Sequence, residues 1–252
     1  METTISTIEE LLGTVESTLN AWQVTAADVW YRGVASRNYD LVPGTVWRGA
    51  MDLEIDLICD FLRSYEHILG QEVSDPWKLY ALMQHYGLPT RLLDWTSSPL
   101  VALYFAMEEE LQDCNNHRVV WMFDPARMNR NLYDTAEVFD SRQNYVKEHL
   151  PVCLRSDNSH EISVSPAALA IPLDRHNKRI AAQKGYFTVH GEQNLPIWKY
   201  SDRLQKIIIE EKNRDYFRNA LFVMGFKEDD IFKDLNSLSK RITREWSSNF
   251  RP

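Results

Sequence analysis

The apolar positions along the chain predict a series of amphipathic helices. The first follows the capping-box spacing of Ser6-Thr7-Ile8-Glu9 and runs from about Thr7 to Asn20. Apolar residues at helical spacing, bounded by glycine, proline or a capping serine, predict the other helices over 53–70, 77–86, 98–107, 215–225 and 231–242. Each of these helices has one apolar face to bury, so the pattern predicts a folded core.

Short runs of β-branched and aromatic residues predict strands at 29–34, 118–123, 186–190 and 204–209. Residues 35–50 are predicted to form a loop, as are residues 90–95. The pattern is weakest over 124–165, where it predicts one short helix around 140–148. No Gly/Ser-rich linker divides the chain, so the sequence predicts one compact α+β domain, with residues 1–24 as an N-terminal helix and residues 25–252 as its main body.

Composition narrows the class of protein. The 252 residues are 44% hydrophobic and carry a formal net charge of −8, which argues against disorder and against a broadly basic nucleic-acid binder. Cys59, Cys114 and Cys153 form no Cys-x-x-Cys pair, so reduced thiols and no metal site are expected. Neither a signal peptide nor an apolar run long enough for a membrane span is evident, which predicts a cytoplasmic protein without membrane contact.

Several common catalytic signatures are absent from the sequence. It contains no Gly-x-Gly-x-x-Gly or Walker-type loop, so dinucleotide-binding Rossmann and P-loop folds are excluded. It also contains no His-Glu-x-x-His motif and no Gly-x-Ser-x-Gly elbow.

Two motifs carry a family resemblance. The tripeptide Tyr31-Arg32-Gly33 and the run from Gln84 to Thr96, read as Gln-His-Tyr-Gly-Leu-Pro-Thr-Arg-Leu-Leu-Asp-Trp-Thr, strongly resemble the FRG-domain family. Residues 99–106, 179–191 and 224–238 are similar to later elements of that family, although Lys233 stands where the family has proline. The resemblance spans residues 25 to 240 and implies an FRG domain over 25–252. It implies little about activity, because the function of the family is poorly defined.

A weaker resemblance concerns mechanism. The order of Arg32, then Thr96-Ser97-Ser98, then Gln183 is similar to the arginine-class ADP-ribosyltransferases. That resemblance implies split antiparallel sheets flanked by helices, NAD as substrate and no metal. It implies an ADP-ribosyltransferase or NAD glycohydrolase with catalytic Arg32 and Gln183, and His85 is a further catalytic candidate because of its own chemistry. Gln183 departs from the pattern, since those enzymes have a glutamate there, and Glu192 is the nearest downstream carboxylate.

The chemistry of NAD cleavage gives roles to these residues. Its transition state is oxocarbenium-like, so the protein must hold the pyrophosphate and stabilise the ribose cation. Arg32 suits a phosphate because its planar fork donates two hydrogen bonds, and Gly33 would let a ligand approach the strand. The alternative is a structural pair between Arg32 and Asp94. Gln183 can hydrogen-bond a ribose hydroxyl but supplies no negative charge.

The remaining candidates each have two interpretations. Arg91 either contacts an anion, with Asp94 orienting Arg32 or Arg91, or forms a structural pair with Asp94. His85 either faces a pocket as a hydrogen-bond partner or general base, or is structural. The other predicted ligand contacts follow from a helix N-terminus that could attract phosphate and from aromatic rings that stack or lie in the core: Thr96, Ser97, Ser98, Tyr31, Trp95 and Tyr104.

Two functions from different classes therefore stay open. One is an NAD-binding ADP-ribosyltransferase-like enzyme with a protein or nucleic-acid acceptor, which could serve as a toxin or defence effector. The other is a non-catalytic module that binds a nucleotide or nucleic acid in the same cleft. A basic cluster at 174–179 either contacts a phosphate backbone or forms a solvated loop.

Overall fold

A computed structural model describes most of the chain: residues 1–108, 116–134, 138, 146, 148–155, 167–172 and 181–247. Three features considered in the sequence lie wholly or largely outside these ranges, namely Cys114, the helix predicted around 140–148 and the basic cluster at 174–179.

The predicted α+β class is confirmed, and the strands join in one sheet. The seven described strands have the order β1-β7-β4-β2-β3-β6-β5. Only the pair β1 and β7 is parallel, and all other neighbours are antiparallel. Their bounds are β1 Glu2–Ile5, β2 Trp30–Val34, β3 Leu92–Thr96, β4 His117–Phe123, β5 Leu169–Ile171, β6 Gly185–Val189 and β7 Leu204–Glu210.

The sheet is split between β2 and β3. These neighbours pair through one residue pair, Tyr31 with Thr96, whereas β2 pairs with β4 and β3 with β6 through five pairs each. The split leaves four strands on one side, β1-β7-β4-β2, and three on the other, β3-β6-β5. A sheet whose neighbouring strands diverge leaves room for side chains between them, and this gap contains the candidate site.

Nine α-helices are formed by the described residues: α1 Ile8–Trp22, α2 Gly44–Trp47, α3 Glu54–Leu69, α4 Pro76–His85, α5 Pro99–Glu108, α6 Pro125–Tyr133, α7 Arg214–Val223, α8 Glu228–Phe232 and α9 Leu235–Trp246. None of the described helices is sufficiently long and apolar to cross a membrane. The helix predicted over 231–242 is two helices, because Lys233 adopts a positive φ of 54° and the Asp234 side chain caps α9 by accepting from the Ser237 N–H.

The N-terminal segment belongs to the sheet. The predicted first helix is confirmed, and the Thr7 side chain caps it by accepting from the Glu10 N–H. Residues 2–5 before it, which the sequence did not indicate as a strand, form edge strand β1 and pair with β7. Residues 1–24 are thus joined to the main body through hydrogen bonds between strands.

Strand β3 corrects the prediction that residues 90–95 form a loop. Leu92, Leu93 and Trp95 are buried in β3, and Asp94 is its one exposed residue. The segment has no alternation of apolar and polar residues because buried apolar side chains lie on both of its faces, and Pro89 and Ser98 flank it. A short, two-sided buried strand lacks the period-2 signal on which the prediction depends.

Three apolar clusters position the sheet. One packs α1, α5 and α7 against the four-stranded side, and a second packs α3 and α4 against the three-stranded side. The third covers Trp30, Trp95 and Phe123 with residues around Met128 and Ile197. Burial at about 25 cal/mol per Å² is the main force that holds these helices on the sheet.

Helix α6 closes the outer edge of β5. The buried side chain of Asn129 donates from Nδ2 to the Ala170 carbonyl at 3.1 Å, and its Oδ1 accepts from the Ala170 N–H at 3.0 Å. One amide side chain therefore makes the two hydrogen bonds that a further strand would make to Ala170. Neither α6 nor β5 was predicted from the sequence.

Candidate functional site

A cleft of about 400 Å³ lies at the split in the sheet. This volume is in the range of small-molecule sites. Its lining comes from β2, β3, the end of α4, α5 and the segment before β6, and it includes Arg32, His85, Asp94, Thr96, Phe105 and Gln183. Arg32 and Gln183, which are 151 positions apart and were both selected from the sequence, thus line one cleft.

Arg32 contributes a cation that makes one hydrogen bond to the protein among the described residues. Its Nη1 donates to the Asp94 carbonyl at 2.8 Å, across the gap where β2 and β3 diverge. Its Nε is buried without a hydrogen-bond partner, and no carboxylate of the described residues forms an ion pair with it. Burial lowers the pKa of Arg32, and the negative charge of Asp94 opposes this. The predicted pair with Asp94 is therefore made through the backbone carbonyl.

The end of β3 fixes Gln183 by its main chain. Thr96 Oγ1 donates to the Gln183 carbonyl at 2.6 Å, and the Ser97 N–H donates to the Lys184 carbonyl at 3.2 Å. Lys184 has a φ of 49°, which turns the chain into β6. Gln183 Nε2 is buried and has no acceptor among the residues that the structure covers. The turn therefore holds an unpaired amide donor in the cleft.

His85 and Asp94 also line the cleft. His85 ends α4, and its ring centroid lies 4.9 Å from that of Tyr86 in an edge-to-face arrangement. Asp94 is exposed, and it is the one acidic residue among the cleft-lining residues that the structure describes. The cleft thus combines one imidazole and one carboxylate with the donors of Arg32 and Gln183.

Gly33 serves helix packing. A Cβ atom on this residue would lie 1.7 Å from the Ala102 carbonyl oxygen and 2.7 Å from the Ala106 nitrogen, both in the backbone of α5. The space that a side chain would fill is occupied by the helix, while Gly33 also lines the cleft, so its contact with a ligand stays a prediction. Only glycine allows α5 to approach β2 this closely.

Ser97 and Ser98 belong to the helix start, outside the cleft lining. Ser98 Oγ accepts from the Val101 N–H at 3.4 Å, and Thr96 Oγ1 accepts from the Ser98 N–H at 3.1 Å. Neither serine lines the cleft. The capping interpretation therefore describes Ser98, and Ser97 acts through its backbone on the turn at Lys184.

Arg91 donates to protein groups from all three of its guanidinium nitrogens. Its Nε donates to Glu54 at 2.8 Å, Nη1 to the His190 carbonyl at 2.8 Å and Nη2 to the His149 carbonyl at 2.9 Å. Tyr80 hydroxyl donates to Glu54 and accepts from the Arg91 N–H. Arg91 does not line the cleft, and its partner is Glu54 rather than Asp94, so the predicted anion contact is not supported by its position.

Stacking on a ligand and burial in the core were both open for three aromatic residues, and two of them, Tyr31 and Trp95, are core residues. Tyr31 and Trp95 are only 1% and 3% exposed, and Trp95 Nε1 donates to Thr188 Oγ1 at 3.0 Å. Burial raises the pKa of Tyr31 to about 12. Tyr104 lines a separate cavity beside Arg218 and Arg244. Tyr31 and Trp95 hold the cleft together as core residues.

Sequence reasoning missed a second cavity next to the cleft. It has a volume of about 340 Å³ and is lined by Tyr39, Trp47, Arg48 and the turn at 87–90, together with residues of the cleft wall. Residues 35–50 were predicted to form a loop because they show no period, but they contain the short helix α2, and the tryptophan followed by an arginine at its end could have indicated the cavity. Among the described residues, no three His, Cys, Asp or Glu side chains are grouped as metal ligands.

Comparison with known proteins gives one match. The family model of the FRG domain matches residues 27–115, which include β2, β3, the helices between them and α5. No curated protein and no solved structure matches the chain.

Proposed function

This chain contains an FRG domain, and we propose that the cleft at its split sheet binds a dinucleotide such as NAD. The observation that carries the proposal is a pair of buried donors, Arg32 Nε and Gln183 Nε2, on side chains that line one cleft and lack acceptors within the described residues. A buried donor without a partner costs about 1–3 kcal/mol, which a ligand with acceptor oxygens would relieve.

A phosphate ligand suits the charge of the cleft. Arg32 supplies a permanent cation with a planar set of donors, and phosphate oxygens accept two of them at once. Its bond to the Asp94 carbonyl fixes the guanidinium while leaving Nε unpaired. Gln183 supplies a side-chain amide that can bond a ribose hydroxyl, and Thr96 fixes the main chain of Gln183 through its carbonyl.

Binding should be tested by calorimetric titration of NAD, ADP-ribose and nicotinamide into the protein. We expect Arg32→Ala to weaken NAD and ADP-ribose binding about 30-fold, since charged hydrogen bonds contribute about 1.5–3 kcal/mol. Arg63→Ala is the matched control, because Arg63 is 75% exposed and pairs only with Asp60 on its own helix among the described residues. Equal NAD affinity in the Arg32→Ala and wild-type proteins would refute the proposal.

Cleavage of NAD is a second candidate function, and Asp94 is the observation that favours it. In this reaction the bond between the nicotinamide nitrogen and ribose C1 breaks, and nicotinamide leaves with the bonding electron pair. An oxygen of water or an acceptor then bonds to C1 and loses its proton, which His85 could accept. Asp94 could stabilise the cation in place of the missing glutamate, but its charge is shared with Arg32, so turnover should be slow.

The two candidates differ in nicotinamide release. If the cleft is catalytic, wild-type protein should release nicotinamide from NAD, and Gln183→Glu should raise the rate by supplying a negative charge. Gln71→Glu adds the same charge at an exposed position and should leave the rate unchanged. Nicotinamide release measured by chromatography decides between NAD binding and NAD cleavage. If the wild-type and Gln183→Glu proteins bind NAD but release no nicotinamide, cleavage is refuted and only the binding function stands.

A further inference from the structure

The second cavity and the cleft share one wall. Both are lined by Arg32, Val34, Tyr39, Gln84 and Asp94. Arg32 therefore stands at the border between two cavities of about 400 and 340 Å³. A ligand held at Arg32 by a central phosphate group has space for a group on either side of it.

Two aromatic side chains line the second cavity, Tyr39 and, from α2, Trp47. Trp47 is 58% exposed, although its indole is among the largest apolar side chains. Its ring centroid lies 4.8 Å from that of Tyr39, with the rings at 66°. An exposed indole beside a cavity offers a π-face to a planar ring, and stacking of a nucleobase on such a side chain is tolerant of base identity.

Hydrogen bonds fix this wall against the turn at 87–90. The Thr45 N–H donates to the Thr90 carbonyl at 3.2 Å. Arg48 Nη1 donates to the Gly87 carbonyl at 3.0 Å. Because these bonds lie on either side of Trp47 in sequence, the short helix α2 keeps the indole at the rim of the cavity.

An acceptor is also fixed at this cavity. Asp40 lines it, and Asp40 Oδ1 accepts from the Trp198 indole N–H at 2.8 Å and from the Leu41 N–H at 2.8 Å. These two bonds orient the carboxylate. Its other oxygen can accept from an amino group, which purine bases carry on their rings.

We infer that the second cavity binds the purine base of the dinucleotide, stacked on Trp47, with its amino group donating to Asp40. Arg32 then holds the pyrophosphate at the border of the two cavities, and the other nucleoside lies beside Gln183 and His85 in the cleft. This inference rests on the proposed dinucleotide binding and adds the direction in which the ligand lies.

Titration with the two halves of NAD tests this assignment. NAD, ADP and nicotinamide mononucleotide would each be titrated into wild-type, Trp47→Ala, Trp47→Phe and Trp246→Ala proteins. Trp246→Ala is matched, because Trp246 is also 58% exposed but lies in α9 and lines neither cavity. Trp47→Ala should weaken NAD and ADP about tenfold, the lower part of the range for one base stacked on one aromatic ring.

The pattern across ligands separates the possible results. Nicotinamide mononucleotide should bind Trp47→Ala as it binds wild type, and Trp47→Phe should keep NAD affinity within about threefold because a ring is retained. If Trp47→Ala and Trp246→Ala bind NAD equally, or if Trp47→Ala weakens the mononucleotide as much as ADP, the base assignment is overturned while dinucleotide binding stands. If no ligand binds wild type, both proposals are overturned.

Discussion

Arg32 and Arg91 both contact residues near β3, Arg32 half-buried and Arg91 buried. They differ in the number of hydrogen-bond acceptors around the guanidinium. Around Arg91, the Glu54 carboxylate and the carbonyls of His149 and His190 accept one hydrogen bond from each guanidinium nitrogen. Around Arg32, one carbonyl accepts and Nε has no partner among the described residues. A fold gains from pairing the donors of a buried cation, and the unpaired Nε of Arg32 is therefore the basis of the ligand proposed for the cleft.

The largest expected effect comes from removing Arg91, whose ion pair with Glu54 is buried. Arg91→Ala leaves the Glu54 carboxylate buried without its cation, so we expect the free energy of unfolding to fall by about 3–5 kcal/mol. Urea unfolding followed by circular dichroism measures this. Arg63→Ala should change it by less than about 0.5 kcal/mol. A loss for Arg91→Ala as small as that of the control would contradict the structural role of Arg91.

Gly33 tests whether the tripeptide at Arg32 serves the ligand or the fold. Gly33→Ala places a methyl group against the backbone of α5, so we expect a loss of about 3 kcal/mol in the free energy of unfolding. Gly13→Ala is the control, since nothing lies within 4 Å of its Cβ position in α1, and it should gain about 0.5–1 kcal/mol. If both variants behave alike in thermal unfolding, the close approach of α5 is not tight.

His190 is buried near both Arg91 and Arg32, and it makes the stability of the fold depend on pH. Burial lowers its pKa to about 3, the Leu195 carbonyl opposes this without a well-aligned bond, and the charges of Arg91 and Arg32 lower it further. Because an unfolded histidine binds its proton near pH 6.5, the unfolded state binds more protons below that pH. Stability from neutral His190 is therefore present above pH 6.5 and is lost as the pH falls towards 3.

The pH dependence is measured by difference. We expect the free energy of unfolding of wild type to fall below pH 6.5 by up to about 1.4 kcal/mol per pH unit more than that of His190→Leu. Chemical unfolding at pH 7, 6, 5 and 4 gives both slopes. Parallel curves would show that His190 is protonated at the same pH in the folded and unfolded states.

The smallest effect on the free energy of unfolding is expected from replacing Arg32. Arg32→Met removes a poorly satisfied cation and keeps a similar volume, so the free energy of unfolding should be unchanged or rise by less than about 1 kcal/mol. Urea unfolding of Arg32→Met beside Arg91→Met tests the comparison directly. If the Arg32 variant lost more stability than the Arg91 variant, Arg32 would be a structural residue.

Periodic segments of the sequence predicted the fold, and segments without a period did not. Helices α1 and α3 carry one apolar face and end at a cap, and β4 and β7 are seven-residue strands that contain runs of β-branched and other apolar residues. Strand β3 has apolar residues on both faces, and β5 has only three residues. Neither kind of strand shows alternation, because burial on both sides removes the polar positions.

The candidate site follows the same logic. Arg32 and Gln183 were identified through a resemblance, and the fold brings both to one cleft. For Tyr31 and Trp95 the sequence left stacking and core burial open, and both are buried because they lie on strands at the centre of the sheet. Trp47 and Arg48 were not selected, since the cavity that they line forms only through tertiary contacts, which no periodic pattern records.

The amide of Asn129 has a consequence for solubility. A sheet that ends in an open strand exposes backbone groups on which a second molecule can assemble, and this is how many aggregates start. Because one side chain of α6 occupies both backbone groups of Ala170, the rim at β5 offers an incoming chain no free pair of groups at that residue. The protein can therefore keep a three-residue terminal strand without presenting it as a template for self-association.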